Sequence, residues 1–249
     1  MECYELIFQR PNKMIYRAGN QKLKMFSDRY PESDILNEAL NQVRVEEALR
    51  PTAVKAPKLV EVAIYDEKWT IVSEFIEGKT LEECMAECTV DISKHLQRFV
   101  EIQLELCRVE VPLLAPLFDK MHRKIDKTRL DDAVREELHQ RLDVMPVQDR
   151  LCHGDFHPSN IIITPEDAVY VIDWSHVTRG NISADAARTY LSFLCHKRRS
   201  LADDYLRLFC SMSGSDEDHV KSWLPLVAAA SIDKSVDERE AEFLYGCIK

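Results

Sequence analysis

Residues 151–163 read LCHGDFHPSNIII, and residues 169–174 read VYVIDW. Two histidines, an aspartate and an asparagine (His153, His157, Asp155 and Asn160) are crowded between apolar runs, and a second aspartate, Asp173, follows the next run. The apolar segments NIIIT and AVYVIDW flank the turn signal Pro165-Glu166-Asp167, which predicts a small β-hairpin. Hydrogen-bonding and titratable groups set on a loop beside a hairpin suit chemistry at that loop.

A chain of 249 residues accommodates one domain or two unequal lobes, and either buries a sizeable core. There is no apolar run of the length that spans a bilayer, and the start MECYELIFQRPNK carries Glu2 and Glu5 instead of a basic, apolar leader. A cytoplasmic location without a membrane partner is therefore expected. The eight cysteines are scattered and form no CxxC pair, so they are expected to pack as reduced, small apolar side chains. A net charge of -10 disfavours nucleic acid as a partner and suits a cationic small molecule.

From the N-terminus, YELIF, MIYR and KLKMF read as three strands separated by turn signals at Arg10-Pro11-Asn12 and Ala18-Gly19-Asn20. SDILNEALNQVRVEEAL predicts a helix over Asp34–Leu49 with Ser33 as N-cap. KLVEVAIY and KWTIVSEFI predict two further strands. From Gly78 onward the pattern is helical. Leu96, Phe99, Val100, Leu104 and Cys107 share one helical face, and helices are expected over Pro116–Lys127, Asp131–Leu142, Ser183–His196, Leu201–Met212, Glu217–Ser231 and Val236–Tyr245. The fold class is α+β: a small five-stranded antiparallel lobe with one helix (residues 1–76) and a mainly helical lobe (residues 77–249), joined around Phe75–Lys79.

Phosphoryl transfer needs a carboxylate to orient and deprotonate a hydroxyl. It also needs an amide oxygen and a second carboxylate for Mg²⁺, and a cation for the nucleotide phosphates. His153-Gly154-Asp155-Phe156-His157-Pro158-Ser159-Asn160 has the HxDxxxxN spacing of kinase catalytic loops, and Asp173 follows after a hairpin. Together with LKMFSDRY, LNEALNQ, SEFIEGKTL and SADAARTY, in that order along the chain, this region resembles the aminoglycoside phosphotransferase and choline kinase family, the small-molecule branch of the protein-kinase-like fold. The resemblance covers about residues 14 to 195.

The resemblance implies that Asp155 is the catalytic base, with His153 and His157 beside it on the loop. It implies Asn160 and Asp173 as Mg²⁺ ligands, Lys24 as the lysine for the phosphates of ATP or GTP, and Glu38 as its helix partner. Glu38 shares a face with Ile35, Val45 and Leu49, so pairing with a buried lysine would account for a carboxylate among apolar residues. Lys22 lies on the same strand face as Lys24 and competes for that role. Backbone groups of Glu74, Phe75 and Ile76 would meet the base, and Asp185 would prop the catalytic loop. His153 reads more simply as a brace that hydrogen-bonds backbone.

Two features depart from the family pattern. RPNKMIYRAG lacks the glycine-rich turn that usually covers nucleotide phosphates and offers Lys13 instead. Trp174-Ser175-His176 follows Asp173 where many antibiotic kinases carry further acidic groups. The expected activity is transfer of a γ-phosphate to a hydroxyl of a small molecule, an aminoglycoside-like antibiotic, amino alcohol or related metabolite. The alternative is a catalytically idle nucleotide-binding or interaction module. Acidic clusters at Glu82, Glu83 and Glu87, at Asp203 and Asp204, and at Asp237, Glu238, Glu240 and Glu242 are read chiefly as solvated helix faces, with a cationic acceptor as the rival reading.

Overall fold

A computed structural model describes residues 4–87, 92–232 and 238–248. In chain order the elements are β1 (Glu5–Arg10), β2 (Lys13–Ala18), β3 (Gln21–Phe26), α1 (Glu32–Leu49), β4 (Val54–Lys55), β5 (Leu59–Tyr65), β6 (Lys68–Glu74), β7 (Lys79–Thr80) and α2 (Leu81–Glu87). Then follow α3 (Ile92–Cys107), α4 (Leu117–Asp126), α5 (Asp132–Asp143), β8 (Arg150–Cys152), β9 (Ile161–Ile163), β10 (Val169–Val171) and β11 (Thr178–Gly180). The last are α6 (Ile182–Cys195), α7 (Arg199–Ser213), α8 (Glu217–Ser222), α9 (Leu224–Ala229) and α10 (Glu238–Ile248). They form two compact units, one of Met1–Val90 with Pro158–His176 and one of Asp91–His157 with Val177–Lys249.

The first unit holds the expected five-stranded antiparallel sheet, in the order β1-β2-β3-β6-β5. Its hairpins are short: Arg10 pairs with Lys13, Ala18 with Gln21, and Tyr65 with Lys68. Asp66 and Glu67 both adopt positive φ in the last of these, as a type I′ turn requires. Strand alternation sends Leu23 and Met25 of β3 to one face and Lys24 and Phe26 to the other, where Phe26 packs with Ile35 and Ala39 of α1.

Helix α1 begins at Glu32, two residues before the expected start. Pro31 occupies the N-cap position with no side-chain cap, and its carbonyl accepts from the N–H groups of Asp34 and Ile35. A proline pre-set in extended geometry starts the helix here, so Ser33 lies inside the first turn rather than capping it. The buried face of α1 is Ile35, Glu38, Ala39, Gln42, Val45 and Leu49.

The hairpin of the opening stretch forms β9 and β10, with Ile163 opposite Val169. It is the centre of a four-stranded sheet whose edges are β4, parallel to β10, and β7, antiparallel to β9. Those two-residue edges are too short to show alternation in the sequence. Gly78 enters β7 so close to β9 that a Cβ there would lie 2.3 Å from the Ile163 carbonyl oxygen.

In the second unit α3 buries the expected face, including Leu96, Phe99, Val100, Leu104 and Cys107, and adds Gln103, which is fully buried. Phe99 stacks on Phe156 with ring centroids 4.7 Å apart and meets Phe193 and Tyr205 edge-on. Asn181 caps α6, accepting from Ser183 N at 2.8 Å. One helix was expected over 217–231; there are two, α8 and α9, because Pro225 at the start of α9 lacks an N–H and breaks the ladder. Val236 and Asp237, where the last helix was expected to start, lie outside the described residues. Among those described, Cys84, Cys107, Cys152, Cys195, Cys210 and Cys247 are free thiols, and no helix is long and apolar enough to cross a membrane.

Gly78→Ala forces backbone movement at the β7–β9 contact and is expected to cost about 1–3 kcal/mol, the range for overpacking. Urea unfolding of the variant against the parent protein checks this.

Candidate active site

Three residues far apart in sequence meet in the first unit. The Nζ of Lys24 bonds the carboxylate of Glu38 and lies 3.4 Å from Asp173 Oδ1. Lys24 is 5% and Glu38 7% exposed, so the pair is nearly stripped of water. Burial alone would lower the Lys24 pKa, but Asp173 and Glu38 outweigh it and hold the ammonium above its ordinary value. Lys22 shares the strand face, yet burial and the charge of Lys24 push its pKa down. The carboxylate pair therefore belongs to Lys24.

Asp173 sits between two lysines, with Lys13 Nζ 3.7 Å from its Oδ2. Partial burial would raise its pKa, but Lys24 and Lys13, joined by Ser175 and His176, hold the carboxyl well below the usual range. Its backbone adopts φ of 61°, a left-handed conformation uncommon for a residue with a side chain and typical of positions under functional constraint. Asn160 closes a short 3-10 turn, Pro158–Asn160, just before β9. Its carbonyl accepts from Ile172 N at 2.9 Å, tethering Asn160 to the residue before Asp173 across the hairpin.

Of the three residues expected to meet a nucleotide base, two have their amides engaged: Glu74 N donates to Lys58 O and Phe75 N to Asn20 O, each at 2.8 Å. Arg17 lies over the Phe75 ring, 4.3 Å from its centroid. Ile76 follows directly.

In the second unit the loop around Asp155 is held at several points. Asp185, in the first turn of α6, accepts from Gly154 N at 2.7 Å. Burial pushes the Asp185 pKa up, against the pull of Gly154, His153 and Gln103. His153, fully buried, accepts from Asp155 N at 3.2 Å and presents its ring to Phe156. Thr189 Oγ1 donates to Phe156 O at 2.9 Å. Behind them Tyr205 donates to Gln103 Oε1 at 2.6 Å.

The Asp155 carboxylate is 30% exposed and faces Arg188 at 3.5 Å and His157 Nε2 at 3.7 Å. Arg188 and Gln103 were not singled out in the sequence. Arg188 could have been, since it stands three residues after Asp185 and so on the same helical face. Gln103 gave no signal, because a lone glutamine in an apolar stripe reads as tolerated. Lys120 was missed too: burial, with Lys124, Arg123 and Arg188 nearby, pushes its ammonium down to about 7, while Asp155 acts the other way.

Several acidic groups have local partners. Glu83 accepts from Thr80 N and Oγ1, Glu87 pairs with Lys79, Asp203 accepts from Tyr190, and Asp204 pairs with Arg207.

A five-stranded antiparallel sheet with one helix, followed by a mainly helical remainder and an HxDxxxxN loop, defines a protein-kinase-like fold. A thermostable mutant of aminoglycoside phosphotransferase APH(4)-Ia, in ternary complex with ADP and hygromycin B, matches with a TM-score of 0.73 at 14% identity, covering 99% of this chain and 92% of its own. A choline kinase, LicA from Streptococcus pneumoniae, matches with a TM-score of 0.65 at 15% identity, covering 99% and 92%. The GDP complex of an aminoglycoside 2'-phosphotransferase-IIIa mutant matches with a TM-score of 0.62 at 15% identity, covering 100% and 90%. At such identities the likeness establishes the fold. No curated protein matches the sequence. The phosphotransferase enzyme family matches residues 12–223, most of the chain, and the protein belongs to that family.

Glu38→Gln removes a charge-assisted hydrogen bond from Lys24 and leaves Asp173 as its anionic partner, so it is expected to cost about 1.5–3 kcal/mol in urea unfolding. Lys120 acts in the opposite sense. Its pKa of about 7 when folded lies below the ordinary 10.5, so between those values the unfolded chain binds more protons and folding is penalised at low pH. Lys120→Met is expected to raise the Tm below pH 7, and the gain should fade as pH rises toward 10.5.

Proposed function

We propose that this phosphotransferase moves the γ-phosphate of ATP or GTP to a hydroxyl of a small molecule in the cytoplasm, with Asp155 as catalytic base. Residues 1–76 are assigned to the nucleotide and residues 77–249 to catalysis and the acceptor. The reading rests chiefly on Lys24, which joins Glu38, 14 positions away, to Asp173, 149 positions away. A buried lysine fixed by a helix glutamate beside a strongly acidic carboxylate is the arrangement that orients nucleotide phosphates in kinases.

Asp173 and Asn160 fit Mg²⁺: an ionised carboxylate and an amide oxygen are hard donors. Among the described residues no three His, Cys, Asp or Glu side chains gather into a metal-binding cluster, and Mg²⁺ in such enzymes completes its shell with phosphates and water. Bound there, the ion would neutralise charge on the β- and γ-phosphates. Lys24 would hold the phosphates, and Lys13, beside Asp173, supplies a second cation where the glycine-rich turn is lacking. The acceptor oxygen forms a bond to the γ-phosphorus as the bond to the β-bridging oxygen breaks. The hydroxyl proton passes to Asp155, and the nucleoside diphosphate leaves. His153 keeps the Asp155 amide in place, and His157 stands beside the carboxylate that takes the proton.

Asp155→Asn should lower acceptor-dependent ADP or GDP release by about a hundredfold or more, the scale of general-base catalysis, while nucleotide affinity stays close to that of the parent. Coupled-assay turnover and calorimetric titration of Mg²⁺–nucleotide check the two parts. Stabilisation by nucleotide without turnover of any acceptor would favour the idle binding module.

A further inference from the structure

Asp155 sits on a loop whose backbone is held on either side of it. Three residues of α6 meet three successive residues of that loop. Asp185 accepts from Gly154 N at 2.7 Å, Arg188 lies 3.5 Å from the Asp155 carboxylate, and Thr189 Oγ1 donates to Phe156 O at 2.9 Å. Positions three and four apart share a helical face, so one stripe of α6 follows the loop residue by residue. The contacts from Asp185 and Thr189 fix backbone, whereas the contact from Arg188 is with the side chain of Asp155.

Arg188 is itself held. Its Nη1 donates to Ser231 Oγ at 2.7 Å, just beyond α9, while its Nη2 faces Asp155 Oδ1. The Ser231 hydroxyl accepts that bond and gives its own proton to Val227 O of α9. Ser231 is buried, and its backbone N–H bonds Ala228 O at 2.9 Å, so the hydroxyl is carried on a fixed turn of chain. One planar guanidinium therefore spans the end of α9 and the carboxylate, using two nitrogens of the same rigid fork.

We infer that Arg188 is a positioning residue for phosphoryl transfer: held by Ser231, it sets the orientation of the Asp155 carboxylate toward the acceptor hydroxyl. This rests on the phosphotransfer reading above. At 3.5 Å the contact with Oδ1 is an ion pair, longer than a charge-assisted hydrogen bond. Such a pair favours the ionised carboxylate that a base must be, without the close bond that would compete with the hydroxyl proton for its lone pairs. The other oxygen, Oδ2, faces His157 Nε2 at 3.7 Å, so the two oxygens have different neighbours and the carboxylate plane has a defined setting. Arg188 acts through Asp155 and need not touch nucleotide or acceptor.

The test uses the full chain with Mg²⁺–ATP and Mg²⁺–GTP. Release of the nucleoside diphosphate is followed with water alone and with choline, ethanolamine and hygromycin B as acceptors, and the fastest parental reaction is carried to the variants. Arg188→Met is expected to lower kcat about tenfold to a hundredfold, the scale of a misplaced catalytic group, with KM and the calorimetric Kd for nucleotide unchanged. Arg188→Lys should recover part of that loss, because an ammonium keeps the charge but lacks the fork that reaches Ser231 and Asp155 together. Ser231→Ala keeps the charge and removes the anchor, so it should lower kcat by a smaller factor. In an Asp155→Asn background, Arg188→Met should cost nothing further, since its effect passes through Asp155.

Parental kcat in Arg188→Met, or a loss that adds in full to that of Asp155→Asn, would overturn the inference. So would a fall in nucleotide affinity as large as the fall in kcat, which marks a role in folding or binding. If Arg188→Met does not fold, Ser231→Ala decides in its place, and parental kcat there overturns the inference. The parent protein separates the two levels. Parental turnover that Arg188→Met leaves intact removes the positioning role while the phosphotransferase reading stands. A parent protein that releases no diphosphate, even to water, removes that reading and the positioning role with it.

Discussion

The Lys24–Glu38 pair constrains the first unit more than any other contact. Two opposite charges, each more than nine-tenths buried, call for backbone geometry that brings them together, because burying a charge is costly unless it is paired. The phase of α1 and the register of β3 must therefore agree. Phe26, Ile35, Ala39 and Ile71 pack around them and secure that agreement with apolar contacts. Asp173 joins the pair from a left-handed backbone position at the end of the β9–β10 hairpin, which ties that hairpin to the sheet although more than eighty residues intervene in the sequence.

The second unit solves a related problem differently. A loop that must present Asp155 cannot be stabilised by its own backbone ladder, so its amides and carbonyls are satisfied from α6 and from within the loop. Asp185 takes Gly154 N, His153 takes Asp155 N, and Thr189 bonds Phe156 O. Phe156 then anchors the loop in the aromatic cluster of Phe99, Phe193 and Tyr205. Polar satisfaction and apolar packing act on adjacent residues, so the exposed carboxylate is carried by a buried frame.

Net charge and local charge carry different information. The net charge of -10 is a sum over the whole chain, and many of its acidic side chains are exposed, where water screens them. Arg188 of α6, by contrast, stands 3.5 Å from Asp155, the carboxylate proposed to handle the hydroxyl proton, where partial burial leaves its field less screened. A chain can therefore be acidic overall and still set a cation against one particular carboxylate.

Much of this protein was legible because it depends on neighbours in sequence. Turn signals and β-forming residues marked the five strands, apolar spacing marked the face of α3, and the interval from Asp155 to Asn160 with a hairpin before Asp173, in order with the other segments, marked the kinase-like class. The break before α9 follows from Pro225 and not from apolar periodicity, and Pro31, not the expected Ser33, holds the N-cap position of α1. By itself, then, the sequence determined the class of fold and the residue types its chemistry requires, since both are written in short-range patterns. Only the tertiary structure brought Lys24 onto both Glu38 and Asp173 and showed Asp185 bonding Gly154 N, contacts that the resemblance had led one to expect but that no local pattern fixes. It alone set Arg188 against Asp155 and Ser231, because such contacts join groups that the chain brings together from the catalytic loop, α6 and the end of α9.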